Sequence, residues 1–117
     1  MTTTNTDYIG RSLAISQLVS YQDGAVISRT LVDKGIGTIT LFSFAQGQGL
    51  SEHTAPFDAV VQVLDGTAIV TIDGTAHTVA TGEMIIMPAH HPHALTGDGP
   101  FKMLLTMIRV PVDAPNA

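Results

Sequence analysis

Hydrophobic and polar residues alternate along most of the chain in short runs that are rich in β-branched residues. Turns containing glycine or proline separate these runs, and almost no segment has the 3.6-residue period of a helix. The pattern predicts an all-β sandwich or barrel, and eight strands are enough to close a small barrel. The predicted strands are AVISRTLV (25–32), GTITLFSF (37–44), DAVVQVL (58–64), TAIVTI (67–72), TAHTV (75–79), EMIIM (83–87), HAL (93–95) and FKMLLTMIRV (101–110).

Short turns indicate which of these strands pair. The segment DKGIG contains the glycines of a hairpin turn and predicts that the first two strands form a ribbon. Asp65-Gly66 and Asp73-Gly74 each join two runs, and Asp-Gly is a strong hairpin signal because both residues tolerate positive φ. We therefore predict a three-stranded meander over residues 58–79.

Length and composition predict a single domain that associates with itself. A chain of 117 residues predicts one domain, residues 1–117, with a core at about residues 10–110 and flexible tails at both ends. Only 13% of the residues are charged and 44% are hydrophobic, so part of the surface must be apolar. We expect a second copy of the chain to cover that surface in a homodimer.

Charge and missing motifs exclude several classes of function. The net charge is −5 and no basic cluster occurs, which argues against nucleic acid or an anionic membrane as a partner. Cysteine is absent, so disulfides and thiolate chemistry are excluded. Neither a Gly-x-Ser-x-Gly elbow nor a phosphate-binding glycine loop occurs. No signal peptide or membrane-spanning run is present, and we expect a soluble, cytoplasmic protein.

Two histidine-containing segments resemble the paired motifs of small single-domain cupins, of the RmlC-like, cupin 2 conserved barrel type. The first reads Gly47, QGLSE, His53-Thr54-Ala55, PFD, Ala59, VVQVLD, Gly66, and the second reads Gly82, EMIIM, Pro88-Ala89-His90, HP, His93, ALT, Gly97. The resemblance covers about residues 37–109. It implies a cupin-like double-stranded β-helix, a jelly-roll barrel.

The resemblance also implies where a metal would bind. Similar proteins place four ligands at the positions of His53, Ala55, Ala59 and His93, so two of the four are alanine in this chain. The implied cofactor is one divalent ion (Fe, Mn, Ni or Zn) held by His53 and His93, or none. Two imidazoles and water should bind such an ion weakly, because catalytic sites of this kind usually supply three protein ligands.

Strand register leaves a possible third ligand open. An unbroken strand from His53 directs Ala55 and Ala59 inward and Asp58 outward. An extra residue at Pro56 would reverse the faces and turn Asp58 and Gln62 inward. His53, Asp58 and His93 would then form the two-histidine, one-carboxylate set of non-haem iron enzymes.

The other three histidines have structural interpretations. His90 occupies a motif position that favours positive φ, and we expect a turn residue there. His91 is expected on the surface or on the rim of the pocket. His77 would pair with Val70 across the Asp73-Gly74 hairpin, which predicts a buried and hydrogen-bonded side chain.

Two classes of function stay open, and the two alanines favour the first. The barrel is either a module that binds a small molecule in an apolar pocket near His53 and His93, or a metal-dependent dioxygenase, isomerase or lyase. In an enzyme, Glu52 or Asp58 would be the nearby general acid or base. A dimer without a ligand is a third alternative. Residues expected to line the pocket or the core are Phe42, Phe44, Met84, Met87, Met103 and Met107.

Overall fold

The structure is a computed structural model that describes residues 8–111. The predicted flexible tails lie largely outside the described residues. Within residues 8–111 the chain forms nine strands and one short 3-10 helix, Ile15–Gln17. The strands are β1 (Val26–Lys34), β2 (Gly37–Phe44), β3 (Leu50–His53), β4 (Phe57–Asp65), β5 (Thr67–Ile72), β6 (Thr75–Ala80), β7 (Met84–Met87), β8 (His93–Gly97) and β9 (Phe101–Arg109).

Two antiparallel sheets pack face to face and form the jelly roll. One sheet has the order β1-β2-β9-β4-β7 and the other has the order β3-β8-β5-β6. The all-β, double-stranded β-helix prediction is therefore confirmed, and so is the β1–β2 ribbon. Side chains alternate between the two faces of a strand, so every second side chain points into the space between the sheets. Phe44 and Phe101 stack there with ring centroids 4.4 Å apart, and both are completely buried.

The two Asp-Gly turns have different roles. Asp73-Gly74 closes a two-residue hairpin between β5 and β6 with φ values of 51° and 80°, as predicted. Asp65-Gly66 does not close a hairpin, because β4 pairs with β7 and β9 whereas β5 pairs with β6 and β8. The predicted three-stranded meander is wrong at this point. Gly66 carries the chain from one sheet to the other, so β4 and β5 bury their apolar faces against opposite sheets.

The segment before β1 covers half of the outer face of the five-stranded sheet. Val19 packs on Leu31 and Leu41 in a second, smaller core. Arg29 Nε donates to the Leu18 carbonyl at 2.8 Å, and Lys102 Nζ donates to a carbonyl of the same segment, that of Ser16, at 2.6 Å. These contacts hold the segment over β1, β2 and β9.

The other half of that outer face carries exposed apolar side chains, with Asp58 beside Ile108 and Gln62 beside Met84. Met84 and Ile86 on β7 and Ile108 on β9 are 53–56% exposed. They surround Val60 on β4, which pairs directly with Ile86. We call these four residues the outer apolar patch. Met84 therefore does not line the pocket or the core as expected, because it lies on the outward face of β7.

In the part of the chain that the structure describes, no helix is long and apolar enough to cross a membrane.

Candidate functional site

His53 and His93 lie side by side on neighbouring strands. β3 and β8 are antiparallel, and the two histidines are direct partners in their register. The ring centroids are 4.4 Å apart, and the ring planes are inclined at 72°. The strands predicted from sequence do not include β3, because LSEH has a single apolar residue and therefore no detectable alternation.

Both histidines line one narrow cavity between the sheets. Its volume is about 40 Å³, room for roughly one to three water-sized groups. His93 is only 4% exposed, whereas His53 is exposed, so the pair extends from the interior to the surface. Three of its lining side chains are methionines. The lining residues are Leu50, His53, Ala55, Ala59, Met87, His93, Leu95, Met103, Leu105 and Met107.

Backbone carbonyls determine the tautomer of both rings. His53 Nδ1 is 2.8 Å from the Ser51 carbonyl oxygen, and His93 Nδ1 is 3.2 Å from that of His91. A carbonyl oxygen only accepts hydrogen bonds, so each Nδ1 must carry the hydrogen. In each neutral ring, Nε2 then has a free lone pair, the form in which imidazole binds metals and accepts hydrogen bonds.

Burial keeps the inner ring neutral. The pKa of His93 is lowered, first by loss of solvation and then by the neighbouring charge of His53, while the hydrogen bond to His91 opposes the shift. His93 is therefore neutral at pH values above its usual pKa of ~6.5, and its Nε2 lone pair is available there.

The register of β4 is the unbroken one. Ala59, at the position of the family's carboxylate, is buried and lines the cavity, whereas Gln62 is exposed. Asp58 accepts a hydrogen bond from the Ala89 backbone N–H at 3.0 Å and is not among the lining residues. Pro56 lies in the loop before β4, so it inserts no extra residue within the strand. The alternative register, with Asp58 and Gln62 inward, is not observed.

The residues present do not fit the divalent metal that the family implies. Ala55 and Ala59 line the cavity at two of the four ligand positions and offer no donor atom. Across residues 8–111, no three His, Cys, Asp or Glu side chains come together as a ligand set. Glu52 is exposed and, like Asp58, lies outside the cavity lining, so neither carboxylate is placed as a general acid or base there.

The remaining histidines are outside the cavity. His90 has φ 67°, as predicted for a turn residue. The His91 side chain is 39% exposed and its Nδ1 lies 2.7 Å from Asp73 Oδ2, which confirms a surface position. His77 pairs with Val70 as predicted, but the prediction that it is buried is wrong. β6 is the edge strand of its sheet, so His77 opens onto a surface depression.

The sequence does not predict that the backbone carbonyl of His91 orients the His93 ring.

A jelly roll with a histidine pair facing the space between its sheets is the arrangement of the cupin class. Residues 40–107, more than half of the chain, match the family described as Cupin domain. The chain belongs to this family.

Several solved bacterial structures are similar to this chain. A conserved Streptococcus pyogenes protein of unknown function is 39% identical, with 88% of this chain and 90% of that chain covered and a TM-score of 0.83. A cupin superfamily protein from Desulfitobacterium hafniense is 32% identical, with 86% and 93% covered and a TM-score of 0.82. An RmlC-like cupin from Shewanella frigidimarina, 19% identical with 77% and 81% covered and a TM-score of 0.69, shares the fold. None of the curated proteins matches this chain.

Proposed function

We propose that this cupin is a binding protein that holds a small ligand on the Nε2 atoms of His53 and His93. The supporting observation is that both Nδ1 atoms are occupied by backbone carbonyls, which leaves two lone pairs for a ligand. The other lining side chains are alanine, leucine and methionine, so the described lining offers acceptors and no strong donor. A ligand that fits is a hydrogen-bond donor or a cation. A carboxylate does not fit, because its oxygen lone pairs would face the nitrogen lone pairs of the histidines.

Nothing in the described site specifically favours a metal-dependent enzyme. Such an enzyme would need a third protein ligand and a nearby acid or base, but Ala55 and Ala59 have no donor and Asp58 points away from the cavity. Binding by the histidine pair requires neither.

Nitrogen NMR on histidine-labelled protein tests the binding proposal. At a pH of about 8, above the usual histidine pKa of ~6.5, we expect long-range ¹⁵N–¹H spectra to show His53 and His93 as Nδ1–H tautomers. Small donors such as methanol or methylammonium, which suit a cavity of about 40 Å³, should shift the two Nε2 resonances, whereas ethane, which has no donor, should not. The exposed His77 is an internal control that should not respond. Protonated Nε2 atoms, or no response to any donor fragment, would contradict the proposal.

We also propose that two copies of the chain associate through the outer apolar patch. The exposed side chains of the patch are apolar, and this surface continues from Ile108 into a depression beside Ile36 and Ile39. The charged neighbours are Asp58, which pairs with Ile108, and Lys34, which lines the depression. The combined surface crosses all five strands and is about 20 Å wide, given the ~4.8 Å spacing of strands. A standard interface buries about 800 Å² on each partner, and a surface of this width covers most of the breadth of such an interface. A sheet face with an apolar centre can pack on its own copy about a two-fold axis, which leaves Asp58 and Lys34 at the edge of the contact.

A charge in the patch should therefore produce monomers. We expect wild-type protein to sediment as a dimer and Ile86→Asp to sediment as a monomer with an unchanged circular dichroism spectrum, because a buried unpaired carboxylate is costly. Ile9→Asp is a matched control, since Ile9 is 71% exposed on the segment before β1. Monomeric wild-type protein, or the same loss of dimer in both variants, would argue against this interface.

A further inference from the structure

Three methionines share the cavity of the histidine pair. Met87, Met103 and Met107 line it together with His53 and His93. Met87 and Met103 are almost completely buried. Met84, the other methionine of the described segment, lies on the outer face of β7. The methionines of the described chain are therefore concentrated around the cavity that the histidine pair lines.

The methionines flank the missing carboxylate. Ala59 stands at the family's carboxylate position, and its direct partners on the two neighbouring strands are Met87 on β7 and Met107 on β9. Directly paired residues have Cβ atoms about 4.5–5.5 Å apart, and methionine is long and flexible. The two sulfur atoms can therefore occupy the space above the Ala59 methyl group, where a carboxylate would have been.

This donor set is soft and neutral. Thioether sulfur favours Cu(I), whereas carboxylate oxygen favours harder divalent ions, and no carboxylate lines the cavity. An ion loses hydration energy when it enters an apolar site, and this Born energy grows with the square of the charge. A monovalent ion therefore loses only about a quarter of what a divalent ion of equal size loses. The cavity of about 40 Å³ has room for one ion.

We propose that the pocket binds one soft monovalent metal ion, Cu(I), through the Nε2 atoms of His53 and His93 and the sulfur atoms of Met87 and Met107. This inference rests on the proposed function, because it uses the same two lone pairs, and it names the class of ligand. His53 is exposed, so the ion has a path from solvent to the buried His93.

Titration with Ag(I), which is redox-inert, and with Cu(I) under anaerobic reducing conditions tests the inference. We expect one ion per chain and shifts of the methyl resonances of Met87 and Met107 in ¹H–¹³C spectra. Met87→Leu and Met107→Leu conserve volume and should keep the fold. Each should weaken binding by at least ~10–100-fold, because that is the cost of removing even a group that only hydrogen-bonds to a metal ligand. Met84→Leu is the matched control, since it makes the same change on the opposite face of β7.

Histidine variants separate this inference from the proposed function. His53→Ala with His93→Ala should abolish Ag(I) binding, and His77→Ala should not. If the double Met87→Leu, Met107→Leu variant binds as tightly as wild type while the histidine variant does not, the methionines only fill the core and the inference is wrong, but the histidine pair remains a ligand site. If no ion binds, or binding survives loss of both histidines, the inference is also wrong. The nitrogen spectra with organic fragments then judge the proposed function independently.

Discussion

The double variant Ala55→His, Ala59→Glu is expected to bind one divalent ion per chain, whereas the wild-type protein should retain little. Both alanines line the cavity beside His53 and His93, so the new side chains enter the space between the sheets. The variant would supply three imidazoles and one carboxylate, a complete ligand set for zinc or non-haem iron.

The size of this effect should be visible in thermal unfolding. Ala59 is only 3% exposed, so a glutamate there is buried and unpaired without a metal, which destabilises the fold. Zn²⁺ at a hundredfold excess over Kd adds about 2.7 kcal/mol to the free energy of unfolding, a rise in Tm on the order of 10 °C for a domain of this size. Elemental analysis after removal of free metal measures the stoichiometry, and unfolding with and without chelator measures the stabilisation.

A carboxylate on the opposite face of the same strand is the appropriate control. The variant Ala55→His, Gln62→Glu introduces the same residue types, but Gln62 is exposed and faces outward. We expect it to bind no better than the single Ala55→His variant. Two outcomes would contradict this prediction: stoichiometric divalent metal in the wild-type protein, or equal binding of divalent metal by both double variants. Either would mean that the ligands are not the residues that the register places in the cavity.

The fold was predictable because strand periodicity is a local property. Alternation in β4 and β9 identified strands that bury one face, and motif spacing linked His53 with His93 across forty residues of sequence. β3 was missed because a short strand with one apolar residue has no detectable period. Its place in the sheet depends on pairing with β8, a long-range interaction.

The character of the site was harder to predict than its position. The sequence placed two histidines and two alanines in a pocket, but it could not show that carbonyls orient both rings or that three methionines line the same cavity. These features depend on which strands become neighbours. For the same reason His77 was assigned to the correct face of β6 yet predicted to be buried, because period alone does not reveal that β6 is an edge.

Gly66 and Gly74 show how identical local sequence can have different structural requirements. Each follows an aspartate, and each has positive φ, 76° and 80°. At Gly74 an added Cβ would meet nothing within 4 Å. At Gly66 it would collide with the Pro100 carbonyl oxygen and lie 3.1 Å from Phe101 Cα. The Gly66 carbonyl also accepts a hydrogen bond from the Thr81 hydroxyl at 2.7 Å.

Gly66→Ala is therefore expected to be far more destabilising than Gly74→Ala. Both variants lose about 1–2 kcal/mol because alanine is disfavoured at positive φ. Gly66→Ala should lose a further ~1–3 kcal/mol from overpacking, since Phe101 is buried against Phe44 and cannot retreat. Urea unfolding of both variants measures the difference, and the m-values should stay equal if only the native state is affected. Equal midpoints would mean that the crossing between the sheets can move away from Phe101, and that Gly66 is required only for its φ.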